Sequence, residues 1–184
     1  LDFGSPKDQP RLTEILNHQG WKQVWCYGCG SLEEICQASS VEKNLVIAPD
    51  GLKAAKYLKE KFGTPYECAD PLAERALEDV DAAGKRVLVV HQQVRANTVR
   101  MLLERSGAAS VTAATWFMQK PELRREGDIR LTEEDQLQEL LETGHYDLLI
   151  GDGSMWAVAP NCTAQQVELA HFAVSGRTEE PWTE

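Results

Sequence analysis

The chain has 184 residues, 42% of them hydrophobic and 26% charged, the make-up of a globular protein with room for one α/β domain or two small ones. A formal net charge of −10 speaks against a non-specific nucleic-acid surface, and no apolar run approaches the roughly 18 residues of a membrane span. The opening LDFGSPKDQP has neither the basic start nor the apolar core of a signal peptide, so the expected compartment is the cytoplasm, with no nucleic-acid or membrane partner. Five cysteines, an odd number without a secretory signal, point away from a disulfide framework and toward thiol or metal chemistry or plain burial.

Taken in chain order, the punctuation is regular. Ser5 before Pro6 marks the start of a first helix, Gly20 closes it, and an apolar stretch near 22–27 is the first predicted strand. Ser31 and Glu34 are spaced as a capping box for a helix whose stripe of Leu32, Ile35 and Cys36 is predicted to face the core. A strand near 43–48 contains NLVIA; Asp50 then caps a helix that ends at Gly63, and a third strand follows near 64–68, with Pro65 a candidate cis-proline. The charged stretch DPLAERALEDVDAAGK is predicted to be helical and leads to a strand near 86–91. A helix ending at Gly107, a strand near 109–117, a helix capped by Thr132 and ended by Gly144, and strands near 146–151 and 166–170 complete the series.

The strand runs NLVIA, KRVLVV and DLLIG are apolar almost throughout, as in strands covered by helices on both faces. Alternation with helices then gives right-handed βαβ units and an α/β fold of two Rossmann-like parallel-sheet domains. The expected division is a Rossmann-like domain at 1–70 lacking its first strand, a helical linker at 71–84, and a second Rossmann-like domain at 85–184. A single seven-stranded sheet is the alternative.

Ligands of open α/β sheets bind at the carboxyl ends of the strands, so the residues there are the candidates. Trp-Cys-Tyr-Gly-Cys has the W-C-x-x-C form of a thioredoxin-like dithiol, with Cys26 attacking and Cys29 resolving. The Ser31 cap, however, starts the helix about five residues past Cys26, too far for the helix dipole to activate the thiol much. Cys26, Cys29 and Cys36 with Cys68 as a fourth thiolate make a candidate metal set, although the spacing does not demand one and no metal is assigned. Burial as small hydrophobes is the third reading, and all three stay open. His91, Asp152, Ser175 and Arg177 are the candidates for a ligand crevice: a strand-end histidine, the acid of a Gly-Asp-Gly-Ser turn, and a Ser-Gly-Arg loop. The chain has no P-loop and no G-x-G-x-x-G after a strand.

Five segments in order resemble the middle and C-terminal domains of the nitrogenase component 1 family. They are LDFGSPKDQPRLTEILNHQG, the helix-to-strand stretch CGSLEEICQASSVEKNLVIAPDGLKAAKYLKEKFGTPY, GKRVLVVHQQVRANTVRMLLERSGA, YDLLIGDGS and HFAVSGR. The resemblance implies two Rossmann-like domains and an absent N-terminal domain, the one that supplies most cysteines of the family's bridging iron–sulfur cluster. It implies an oxidoreductase role: electron transfer to, or reduction of, a substrate or cofactor bound between domains. The implied partners are a homologous component 1 subunit and an iron–sulfur ATPase reductase. An iron–sulfur or metal cluster is implied for the full-length parent; the fragment alone is expected to carry no cofactor and to be inactive.

Two positions depart from the family's catalytic subunit. Its cofactor cysteine follows the Asn-Leu-Val strand, where this chain has Ala48, and its cofactor histidine lies just past the Ser-Gly loop, where Ser175-Gly176 is followed by Arg177-Thr178-Glu179. The expectation is therefore a nitrogenase-like subunit that does not fix nitrogen itself. A non-enzymatic binding or cofactor-assembly scaffold module is the alternative, and a thioredoxin-like redox protein the second.

Overall fold

A computed structural model describes residues 8–26 and 31–176. The chain divides into two compact units, Leu1–Leu72 and Ala73–Glu184. The first holds α1 (Asp8–His18), α2 (Leu32–Cys36), β1 (Asn44–Val46), α3 (Gly51–Phe62) and β2 (Tyr66–Cys68). The second holds β3 (Arg86–Val90), α4 (Gln93–Arg105), β4 (Ser110–Thr115), β5 (Ile129–Arg130), α5 (Glu134–Thr143), β6 (Leu148–Gly151), β7 (Gln165–Glu168) and α6 (Phe172–Ser175). The fold is α/β, with every strand pair parallel.

In the second unit the sheet order is β5-β4-β3-β6-β7. Side chains alternate across it as strand geometry requires. Val87, Val89, Leu148 and Ile150 face Ala96, Val99 and Leu103 of α4, together with Ala73 and Ala82. Leu88, Val90 and Leu149 face Leu137 and Leu141 of α5 and Met155 and Trp156 of the 3-10 turn Gly153–Val158. Both faces are covered, which explains the unbroken apolar runs of β3 and β6. The stretch predicted as one helix, 71–84, instead forms two short 3-10 turns, Pro71–Ala73 and Arg75–Leu77. Edge strand β5 was not predicted: it is two residues long and carries no apolar run.

In the first unit β1 and β2 pair with no third strand among the described residues, Asn44 opposite Tyr66 and Val46 opposite Cys68. Leu12 and Leu16 of α1 close one small core with Leu72, Val24, Cys26, Leu45 and Ile47. The predicted strand near 22–27 forms no ladder among the described residues, although Val24 and Cys26 still point inward. The predicted core stripe of α2 is a further correction: Leu32 is 72% and Ile35 46% exposed, and Cys36 is exposed. A helix of five residues has little surface to bury, and no described element packs on that face.

Helix ends follow the predicted punctuation with two corrections. Gly20, Gly63 and Gly107 have positive φ, as the left-handed closing position requires. Gly144 does not: its φ is −73°, and His145 takes the left-handed conformation instead. A Cβ at position 144 would lie 2.1 Å from the Tyr146 ring, so glycine is needed there for close approach. The cap of α5 is Glu133, one residue past the predicted Thr132, and Gln136 Oε1 accepts from the Thr132 amide at 2.8 Å. Asp50 stands at the N-cap of α3 as predicted, without a side-chain cap bond. Ser31 directly precedes α2, while Ser5, Pro6 and the Glu34 side chain lie outside the described residues. Pro65 is not cis: the described residues contain no cis peptide bond.

Candidate functional site

The order of the five-stranded sheet creates a switch point. From β3 the chain winds one way through β4 and β5, then crosses back to β6 and β7. The crevice between the carboxyl ends of β3 and β6 is where such sheets bind ligands, and dinucleotides need a glycine-rich turn there. Here the turn is His91-Gln92-Gln93, three buried polar residues and no glycine. Gln92 Oε1 accepts from the Val94 amide at 2.8 Å, occupying one of the open amides at the start of α4. Gln93 pairs with Lys120, donating to its carbonyl at 3.1 Å and accepting from its amide at 2.7 Å.

His91 is buried at the end of β3. Its Nδ1 accepts from the Gln92 amide at 2.8 Å, so the ring proton sits on Nε2, which donates to the Ala170 carbonyl at 2.9 Å. Burial, then the charge of Arg95 and neighbouring His171, hold its pKa well below the ordinary 6.5, against the opposite pull of the Ala170 carbonyl and Asp152. A neutral imidazole with both nitrogens engaged is a tie between β3 and β7.

Asp152, at the end of β6, is fully buried. One oxygen accepts from the Ser154 amide at 3.1 Å and from its hydroxyl; the other accepts from the His171 amide at 2.9 Å and from the Ser175 hydroxyl. Burial alone would raise its pKa. The bonds from His171, Ser154 and Ser175 outweigh burial and hold the carboxyl well below the usual carboxylate range. The result is a knot that binds the loop of α6 to β6. The His171 ring stacks on His91 at 4.5 Å between centroids, and Phe117 meets it edge-on at 6.0 Å. Serine, histidine and aspartate thus converge without forming a nucleophilic triad. Ser175 donates straight to the carboxylate, and His171 offers Asp152 its backbone amide rather than its ring.

The structure therefore brings together His91, Asp152 and Ser175 of the predicted crevice set, while Arg177 lies outside the described residues. The Gly-Asp-Gly-Ser turn offers no anion site: the Gly153 amide donates to Glu168 at 3.0 Å and the Ser154 amide to Asp152. His171 was missed by sequence reasoning; its one local signal is that it follows the predicted strand near 166–170.

Beside the knot, a cleft of about 680 Å³ lies over the carboxyl ends of β4, β5 and β6. Trp116, Phe117, Leu137, Met155 and Val158 wall it, and Glu133, Glu134 and Asp135 stand on its lining.

The predicted cysteines belong to the first unit. Cys26 is half-buried in the core of the first unit, Cys29 lies outside the described residues, and Cys68 ends β2. Burial raises the Cys68 thiol pKa; Lys56 opposes this and Glu67 adds to it, so Cys68 is a thiol at neutral pH. Ala48, where the family's catalytic subunit has its cofactor cysteine, is a buried methyl group 2% exposed. Among the described residues no group of three or more His, Cys, Asp or Glu side chains is placed to hold a metal. The residues present do not fit a cluster anchored as in that subunit.

No protein-family model and no curated protein matches the chain. Among solved structures, nitrogenase Cp1 at pH 6.5 superposes with a TM-score of 0.54 at 12% identity, covering 89% of this chain and 49% of its own. The fold is nitrogenase-like. The chain spans about half the length of that nitrogenase chain. D-lactate dehydrogenase with NAD+ from Lactobacillus jensenii is also similar over 79% of this chain and 59% of its own, at 14% identity, but with a TM-score of 0.29 that carries no structural argument. No helix of the described residues is long and apolar enough to cross a membrane.

Proposed function

We propose that the chain is the middle and C-terminal part of a nitrogenase-like component 1 oxidoreductase. The whole protein takes electrons from an iron–sulfur ATPase partner and passes them to a substrate or cofactor other than dinitrogen. It works in the cytoplasm beside a homologous component 1 subunit. The observation that carries this reading is the likeness to nitrogenase Cp1 over 89% of the chain, more than either unit alone supplies, in step with the ordered family-like segments of the sequence. Ala48, which offers no donor atom, supports the departure from dinitrogen reduction. The turn after β3, where His91 and Gln92 are buried and no glycine-rich run follows, supports an electron source other than a nicotinamide bound in this sheet.

One observation favours a second reading, a non-enzymatic binding or cofactor-assembly module. His91 and Asp152 engage their polar atoms in holding loops together, which makes a fixed surface rather than a proton-transfer site.

The test is anaerobic purification of the full-length protein with candidate reductases. Reduction of its substrate should require ATP and the iron–sulfur ATPase, and this chain should bind no NADH at millimolar concentration. Partner-free turnover driven by NADH would overturn the reading. Ligand binding without reduction under any reductant would favour the binding module.

A further inference from the structure

Helix α3, GLKAAKYLKEKF, is strongly basic in an acidic chain: it carries four lysines against the single Glu60, whereas the whole chain has a net charge of −10. Leu52 and Ala55 bury one side of the helix. On the opposite, exposed side Lys53, Tyr57 and Lys61 are spaced four apart, a row about 12 Å long. Tyr57 is 54% and Phe62 58% exposed, and their rings meet edge-on with centroids 6.4 Å apart. Lone exposed hydrophobes are ordinary, but two rings in contact make a contiguous apolar patch beside the lysines.

Helix formation does not account for this face. Lys59 and Lys61, in the last turn, complement the helix dipole. Lys53 does the reverse: it stands in the first turn, where acids are favoured, and no acid accompanies it within that turn. Lys53, Lys56 and Lys59 follow one another at spacings of three, which sets like charges side by side. Lys53 and Lys61 make no ion pair among the described residues. A local electrostatic cost that the fold does not offset is characteristic of a functional surface.

We propose that this face of α3 docks an acidic segment of another protein. Lys53 and Lys61 meet carboxylates about two helical turns apart, and Tyr57 and Phe62 hold an apolar side chain between them. Charge decides the class of partner. A nucleic acid or an anionic bilayer presents many charges, and these would meet the repulsion of the chain's net −10; a short acidic segment meets the lysines locally. The proposal does not depend on the oxidoreductase reading.

The probe is a labelled peptide of glutamate and leucine, titrated into the full chain beside its glutamine-for-glutamate counterpart, a single-stranded RNA and phosphatidylserine vesicles. The acidic peptide should shift the amide resonances of α3, bind about ten-fold more tightly than the glutamine peptide, and weaken as salt rises. Lys53→Glu with Lys61→Glu should lower its affinity about ten-fold, and Tyr57→Ala about five-fold. A thermal melt checks the fold, which the charge reversal at position 53 should not weaken, because an acid suits the first turn. Equal affinity for the two peptides, shifts confined to other amides, or no shift at millimolar acidic peptide would overturn the proposal. So would tighter binding of the RNA or the vesicles at α3. Broadening of the α3 amides with protein concentration alone would also overturn it, by assigning the face to a second copy of the chain.

Discussion

The two units use the same helix–glycine–strand grammar and reach different ends. In the second, β3 and β6 are each flanked by strands on both sides and helices on both faces, and His91 and Asp152 at their ends are buried and held by hydrogen bonds. In the first, two strands pair with no third among the described residues, and α2 leaves Leu32, Ile35 and Cys36 exposed. Asp152 is held by groups that the loops past β6 and β7 bring to it, because a buried polar atom must find its partners locally. That is why the predicted histidine and aspartate of the second unit became a knot, while the cysteines of the first did not assemble into a site among the described residues.

The comparison is broken most directly by core truncation. Leu149→Ala should cost about 3 kcal/mol, read from native-state hydrogen exchange of the β3 and β6 amides, while Ile35→Ala should stay within about 0.5 kcal/mol. A large effect of Ile35→Ala would show that the apolar face of α2 is covered in solution. Asp152→Ala comes next. It removes the acceptor of the His171 amide and of the Ser154 and Ser175 hydroxyls, and should cost about 2–3 kcal/mol, with exchange rising first at 169–176. Protection unchanged there would mean the knot is not what fixes α6.

The smallest effect is on pH. His91 is held neutral in the folded chain and binds a proton near pH 6.5 in the unfolded one, so below that value the unfolded state takes up more protons. Stability should therefore be full above pH 6.5 and fall toward the lower folded pKa by at most about 1.4 kcal/mol per pH unit. Asp152, whose folded pKa is also depressed, keeps its full contribution above about pH 4 and loses it only below that, outside this window. His91→Gln should flatten the slope between pH 6.5 and 5, measured by denaturant unfolding across the range. A slope that survives the substitution would assign the proton uptake to another group.

Much of the second unit was legible. The central strands β3 and β6 announced themselves because burial on both faces forbids polar residues, and Gly107 marked a helix end because only glycine takes its left-handed backbone freely. Edge strand β5 did not, since two exposed-edge residues leave no pattern. Charge and periodicity over 71–84 suggested one helix, but burial of Ala73 and Ala82 in the sheet's core went with two separate turns. His91, Asp152 and Ser175 could be placed at strand ends from sequence.

That strand-end placement is what the sequence by itself determined, together with the fold class, because both follow from local periodicity and caps. What only the tertiary structure decided is that these groups spend themselves on one another. His171 reaches Asp152 through a backbone amide across 19 positions, and His91 reaches Ala170 across 79. Such pairings depend on β3, β6 and β7 lying side by side, an adjacency set by strand order and not by any short stretch of residues.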